Sequence, residues 1–191
     1  QLTDLDMWVQ LCLKHEIYII QEKLVRFRVN SQETNTSGDR PETRIRENFE
    51  VLKVLENYKE IPSTDDLLKI FPDAEQYCIE NNPNVLYALG RFSVDYGTRK
   101  QMILFGLNLL FDILNDPDQA AMLKQYQNFA KKEFVKLTAR HDIFSNEEIR
   151  ELQKTLIEKE EEILFYSTSK SWRYTAPLRK LTQSLKKAKK F

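Results

Sequence analysis

Acidic side chains and a tryptophan lie together at the start of the chain, in the run Thr3-Asp4-Leu5-Asp6-Met7-Trp8. Asp4 and Asp6 have the Asp-x-Asp spacing that can hold a divalent cation on carboxylate oxygens when the pair ends a buried strand. Here a helical pattern follows instead, and side chains two residues apart on a helix point to different sides. We therefore expect no shared metal ion. Asp4 remains a carboxylate at a helix start, where backbone N–H groups favour the ionised form that accepts a proton.

Two kinds of element are expected to position these side chains. The apolar spacing that follows the acidic opening predicts a short amphipathic helix over residues 5–14, capped by Thr3 or Asp4. Residues 17–20 and 24–29 are rich in β-branched and aromatic side chains, which predicts two short strands joined by a turn. The N-terminal region is therefore predicted to be a helix followed by a small β element.

Helical patterns dominate after a polar stretch at residues 30–41, which predicts a loop. Helix starts are indicated by capping residues near Pro62-Ser63, Asn82, Thr98, Asp116 and Ser145. The last predicted helix, over residues 146–166, carries an apolar stripe formed by Ile149, Leu152, Leu156, Ile163 and Leu164. We predict a mainly α chain, an irregular multi-helix domain of about seven helices with a short two-stranded β element near the N-terminus.

Glycine, cysteine and apolar patterns exclude several classes of protein. The 191 residues include four glycines and no Gly-rich phosphate loop, which argues against a complete dinucleotide-binding fold or a P-loop enzyme. Cys12 and Cys78 do not define a disulfide framework, and both are expected to be buried apolar side chains. The apolar stretch at residues 102–114 is shorter than the ~20 residues that cross a bilayer, so it predicts a core helix.

Two stretches near the N-terminus carry a family resemblance. Residues 3–11 read Thr-Asp-Leu-Asp-Met-Trp-Val-Gln-Leu, and residues 18–29 read Tyr-Ile-Ile-Gln-Glu-Lys-Leu-Val-Arg-Phe-Arg-Val. They resemble the end of the catalytic domain in bacterial family 2 glycosyltransferases. There an acidic pair begins a helix that continues Asp-Leu-Trp-Leu-Arg, and a strand ending in Tyr-Arg-Val-His follows. Thr3, Gln10 and Asn30 stand where that family commonly has Glu, Arg and His.

The resemblance implies roles for four side chains. Asp4 stands where the family places its general base, the carboxylate that deprotonates the acceptor hydroxyl as it attacks the anomeric carbon. Trp8, Arg26 and Arg28 are implied as substrate-binding residues, with the ring against a sugar and an arginine near the nucleotide diphosphate. The simpler alternatives are an N-cap for Asp4, a core anchor for Trp8 and a solvent-facing strand edge for the two arginines.

A second resemblance lies at the other end, where residues 166–180 are similar to a segment at the ends and junctions of bacterial glycosyltransferases of surface-polysaccharide pathways. The implied division is a remnant of a GT-A-like catalytic domain at 1–40, a helical domain at 41–166, and a basic segment with a terminal helix at 167–191.

The implied function is cytoplasmic transfer of a sugar from a nucleotide-sugar to a glycan acceptor. The nucleotide-binding strands and the metal motif of the family are not among these residues. We therefore expect this fragment to be inactive alone and to hold no cofactor, and the full-length enzyme to use a divalent cation.

An uneven charge distribution supports a different function. Residues 163–191 contain eight lysines and arginines and no acid, whereas the remainder has 21 basic and 29 acidic residues, a net charge of −8. In a helix over residues 177–191, Leu178, Leu181 and Leu185 would share a face opposite the lysines. The alternative function is a non-catalytic helical interaction module that binds a protein partner or an anionic membrane surface, in a membrane-peripheral location. The acidic body argues against nucleic acid as a partner.

Overall fold

The computed structural model describes residues 2–26, 38, 40–79 and 84–179, and the described part is mainly helical. The chain divides into two compact units, Gln1–Ile143 and Phe144–Phe191. Short 3-10 helices at Asn57–Glu60 and Pro72–Tyr77 follow the second and third α-helices. The α-helices of the described part are α1 (Thr3–Lys14), α2 (Pro41–Glu56), α3 (Thr64–Ile70), α4 (Val85–Asp95), α5 (Lys100–Asn115), α6 (Pro117–Gln127), α7 (Lys131–Thr138), α8 (Asn146–Thr168) and α9 (Lys170–Tyr174).

The predicted two-stranded β element is wrong as far as the structure describes it. Residues 16–26 follow α1 without forming a strand, and residues 27–29 lie outside the described part. Tyr18 and Val25 are each 88% exposed, so no segment of the described part covers these two side chains. A two-stranded hairpin is marginal in water unless a third strand or a helix buries one of its faces. The β-branched side chains favour an extended backbone here, but they lack the packing that would make a sheet.

The N-terminal helix forms where the sequence predicts it, but the predicted cap is wrong. Leu2 occupies the N-cap position of α1 and makes no side-chain capping bond. Thr3 and Asp4 lie inside the first helical turn, so neither side chain caps the helix. An acidic residue in this first turn is still favourable, because the N-terminal end of a helix carries partial positive charge.

Helices α4 and α5, which follow each other in the chain, form the centre of the first unit. Their backbones approach closely at Gly90 and Gly106. A Cβ atom added at Gly106 would lie 2.5 Å from the backbone oxygen of Gly90, so the two backbones are in direct contact. Glycine permits this approach because it has no side chain. The predicted core helix at residues 102–114 is confirmed by α5, whose apolar residues are largely buried.

Apolar side chains of this helix pair contribute to two buried clusters, one with α3 and the segment after α2, the other with α6 and α7. In the first cluster Phe105 and Leu67 are almost fully buried. In the second, Leu110 and Leu123 are completely buried. Near the end of α2, Leu52 and Leu55 pack against the first cluster. Ile45 and Phe49, which lie nearer the start of the same helix, are exposed.

Local capping residues explain most of the helix starts. Ser63 accepts a hydrogen bond from the Asp66 N–H at 3.1 Å, which caps α3. Asp116 accepts from the N–H groups of residues 118 and 119 and caps α6, as predicted. Asn84 caps α4, whereas the predicted cap Asn82 lies outside the described residues. Ser145 occupies the N-cap position of α8 in the left-handed region, and its side chain makes no capping bond.

The second unit is built around α8, which extends over 23 residues and has no buried residue. Its apolar stripe is present as predicted, but Leu152, Leu156 and Ile163 are all exposed. Ser169 begins α9 by accepting a hydrogen bond from the Trp172 N–H at 3.3 Å. The predicted terminal helix reaches residues 180–191, which lie outside the described part. No helix that the structure describes is both long and apolar enough to cross a membrane.

Candidate functional site

Helix α1, which carries the predicted catalytic residue, is fixed to the helical part of the first unit. Val9 is buried on its inner face, and Leu13 packs against the cluster formed with α3. The Leu2 N–H donates to Glu50 Oε2 at 2.9 Å, and Lys14 Nζ lies 3.1 Å from Glu60 Oε2. Contacts at both ends of α1 therefore set its position and direction relative to α2.

The two aspartates of α1 have different environments. Asp6 accepts hydrogen bonds from Asn57 Nδ2 at 2.6 Å and from Gln10 Nε2 at 2.8 Å, so both of its carboxylate oxygens are occupied. Asp4 is exposed, and among the described residues its carboxylate has no hydrogen bond or ion pair. Asp6 therefore holds α1 in place, while Asp4 is available to a molecule that approaches from solvent.

The predicted substrate-binding residues are only partly brought together. Trp8 is one turn after Asp4, on the same side of α1, and its ring is half exposed. Arg26 is exposed in the extended segment after α1, and no hydrogen bond or ion pair among the described residues joins it to Asp4. Arg28 lies outside the described part. Asp4 and Trp8 thus form one exposed face, and the position of the arginines relative to it stays a prediction.

A cleft of about 200 Å³ lies between the start of α1 and the second half of α2. Its walls include Thr3 and Asp6 from α1 and Glu50 and Lys53 from α2. The lining carboxylates are engaged, because Asp6 binds Asn57 and Glu50 binds the Leu2 N–H. Asp4 does not line this cleft, so the cleft adds no contact to the Asp4 carboxylate.

The described residues form no metal-ligand group, and the two cysteines lie in different environments. Within residues 2–26, 38, 40–79 and 84–179, no group of three His, Cys, Asp or Glu side chains is placed to hold a metal ion. Cys12 is exposed, so its predicted burial is wrong, and Cys78 is partly buried. Burial raises the pKa of the Cys78 thiol, with a smaller contribution from the charge of Glu75. A raised pKa keeps this sulfur in the unreactive thiol form.

Sequence reasoning missed a second group of polar residues, centred on Arg91 of α4. Its Nη2 donates to Asp95 Oδ2 at 2.8 Å, and Asp95 Oδ2 also accepts from the Tyr77 hydroxyl at 2.7 Å. Burial opposes the charge on Arg91, but the bond and charge of Asp95 outweigh it and raise the Arg91 pKa. Burial, together with the bond to Asp95, also raises the Tyr77 pKa. The only signal in the sequence was Arg91 four residues before Asp95, a common surface pairing.

This second group borders a cleft of about 350 Å³ between α4 and the region around α7. Its charged lining residues are Arg91, Glu133, Lys136 and Arg140, which come from segments more than 40 positions apart in the chain. Polar side chains of the described part therefore form one face at the start of α1 and another between α4 and α7. Comparison of the chain with protein-family models, with curated proteins and with solved structures found no match.

Proposed function

We propose that the chain is the C-terminal part of a bacterial family 2 glycosyltransferase, in which Asp4 is the general base. The observation that supports this proposal best is the contrast between the two aspartates of α1. Asp6 is bound by Asn57 and Gln10, whereas Asp4 is exposed and has no partner among the described residues. A general base must be able to reach the proton that it accepts, and the position of Asp4 meets this requirement.

In the proposed reaction, the acceptor hydroxyl attacks the anomeric carbon of the nucleotide-sugar, and Asp4 takes up the hydroxyl proton. The new glycosidic bond forms as the bond to the nucleotide diphosphate breaks, so the anomeric configuration inverts and the diphosphate leaves with the electron pair. Trp8 would lie against a sugar ring, because its half-exposed indole shares the face of Asp4. Arg26 and Arg28 are proposed to approach the diphosphate.

The fragment is expected to be inactive alone, because a nucleotide-sugar needs a binding site that these residues do not supply. The described residues include no three-ligand metal group, so no step of the reaction is assigned to a cation held by them. We expect the divalent cation to be bound elsewhere in the full-length enzyme. The proposed setting is surface-polysaccharide synthesis in the cytoplasm, with a glycan acceptor.

Asp4→Asn in the full-length enzyme tests the role of the carboxylate. The substitution keeps the size of the side chain and removes its ability to accept a proton, so kcat should fall by about 10²–10⁴-fold with little change in KM for the nucleotide-sugar. Asp118→Asn is the matched control, because Asp118 is an exposed aspartate in the first turn of α6, and its kcat should stay close to wild type. Undiminished transfer by the Asp4 variant would remove this residue from the mechanism.

A second candidate function rests on α8. Ile149, Leu152, Leu156 and Ile163 recur at intervals of three, four and seven residues, which is the a/d spacing of a coiled coil. All four side chains are exposed, and α8 has no buried residue. Because most helical stability comes from burying an apolar face, we propose that α8 pairs with α8 of a second copy and that the chain acts as an interaction module.

Two neighbouring side chains of equal exposure test this pairing. Leu156 is 59% and Ile157 is 56% exposed, but only Leu156 belongs to the a/d row. Light scattering after size exclusion should show a dimer for the wild-type chain and for Ile157→Glu, and a monomer for Leu156→Glu. A monomeric wild-type chain, or equal dissociation by both variants, would exclude the pairing. Binding of the basic C-terminal segment to an anionic membrane surface stays a prediction, because residues 180–191 lie outside the described part.

A further inference from the structure

The cleft between α4 and α7 has a rigid guanidinium on one wall. Arg91 lies against the rings of Tyr77 and Phe129, with its Cζ atom 5.3 Å and 5.6 Å from the two ring centroids. The hydrogen bond from its Nη2 to Asp95 fixes the plane of the group. Its Nε is buried and has no hydrogen-bond partner. Arg91 is therefore held in one orientation on the cleft wall, beside Tyr87, with which it also interacts.

Two further cations line the opposite wall. Lys136 and Arg140 are four positions apart, at the end of α7 and just beyond it, so they lie on the same side. Both are exposed, and among the described residues neither has a carboxylate partner. Lys14 and Arg99, in contrast, form ion pairs with Glu60 and Glu47.

The single carboxylate of the lining is directed to the protein backbone. Glu133 Oε2 accepts from the Ala130 N–H at 3.3 Å, which satisfies a free amide at the start of α7. The lining has three cations and one carboxylate, and Asp95, which is paired with Arg91 outside the lining, leaves a net charge of +1. The amides of Gln127 and Asn128 add further polar atoms to the cleft. The net positive charge and the planar guanidinium together suit an anion with several acceptor oxygens.

We propose that this cleft binds a phosphoryl group, through Arg91 on one wall and Lys136 and Arg140 on the other. The cleft volume of about 350 Å³ is that of a small ligand site, so it holds the phosphoryl group and a small part of the molecule that bears it. A soluble phosphate ester and a phospholipid headgroup present the same chemistry. The site lies away from α1 and does not depend on the proposed glycosyltransferase activity.

Calorimetric titration of the chain with inorganic phosphate and with pyrophosphate, at constant ionic strength, tests the proposal. The double variant Lys136→Gln/Arg140→Gln removes two charge-assisted contacts, so its affinity should fall by about tenfold to a hundredfold. Lys131→Gln/Lys132→Gln is the matched control, since it changes the net charge equally at exposed residues outside the cleft. Its affinity should stay within about twofold of wild type. Equal losses in both double variants would show diffuse attraction to the basic surface and overturn the proposal.

Two additional measurements complete the test. Arg91→Lys keeps the charge but removes the fork of donors, so it should weaken phosphate binding while circular dichroism shows that the chain stays folded. Sedimentation with vesicles containing phosphatidic acid distinguishes the two sources of the phosphoryl group. Vesicle binding that depends on Lys136 and Arg140 would support a lipid headgroup. Binding of the free anions without vesicle binding would support a soluble ester. Absence of binding in both arms would overturn the proposal.

Discussion

The contact between α4 and α5 leads to a prediction about Gly106. In Gly106→Ala the new Cβ would lie 2.5 Å from the backbone oxygen of Gly90 and 2.9 Å from the side chains of Ser93 and Val94. Ordinary contact begins near 3.4 Å, so the two helices would have to separate by about 0.9 Å along this direction. A backbone oxygen cannot rotate away as a side chain can, and the separation would loosen packing in both buried clusters.

The expected loss of stability is the difference between two effects. Overpacking of a close contact costs about 3 kcal/mol when backbone must shift. Alanine is favoured over glycine in a helix by about 1 kcal/mol, which offsets part of that cost. Gly106→Ala should therefore lower the free energy of unfolding by about 2 kcal/mol and the melting temperature by roughly 4–8 °C.

Gly90→Ala is the control for this prediction. Its new Cβ would meet the Leu110 side chain at 3.1 Å and the Gly106 oxygen at 3.3 Å, and a leucine side chain can move by a few tenths of an ångström. We expect its stability to stay within about 1 kcal/mol of wild type. Urea unfolding followed by circular dichroism measures both variants. A Gly106 variant that is as stable as the Gly90 variant would contradict the close backbone contact.

Three further predictions concern single hydrogen bonds. Burial and the bond to Asp95 raise the Tyr77 pKa, so the wild-type chain should lose stability as the pH rises above about 10, and Tyr77→Phe should lose less between pH values of about 8 and 11 in urea titrations. The bond from the Gln119 N–H lowers the Asp116 pKa, so its contribution is present above about pH 4 and lost as the pH falls further. Asp116→Asn should therefore show a shallower decline of unfolding midpoint in acid. Asn57→Ala should cost about 1–2 kcal/mol in urea unfolding, and an unchanged midpoint would show that its bond to α1 contributes nothing.

Features determined by neighbouring residues were predictable from the sequence. Asp116 before Pro117 predicts the start of α6, and Ser63 the start of α3, because a cap and its helix are local in the chain. The two strands predicted at residues 17–20 and 24–29 depended on more than local sequence, since a strand forms only when a distant or adjacent segment pairs with it. The β-branched composition there favours an extended backbone but carries no information on whether another segment lies beside it.

The two candidate sites also differ in whether neighbouring residues in the chain or tertiary packing determine them. The exposure of Asp4 and the separate roles of Asp4 and Asp6 follow from their positions in one helix, so the sequence indicated that the two carboxylates do not converge. The cleft at Arg91 depends on α4 and α7 lying side by side, and nothing local to Arg91 or Lys136 predicts this. Tertiary packing alone brings these cations to one cavity.

Asn57, directly after α2, donates a hydrogen bond to Asp6 of α1, so we expect the two helices to open together. A helix of 12 residues would fray from its free end in isolation. Here, the amide hydrogens of α1 should exchange with solvent together with those at the end of α2, because both are released by the same opening event. Substitutions at the end of α2 can therefore change the orientation of the face that carries Asp4 and Trp8, although neither of these residues is replaced.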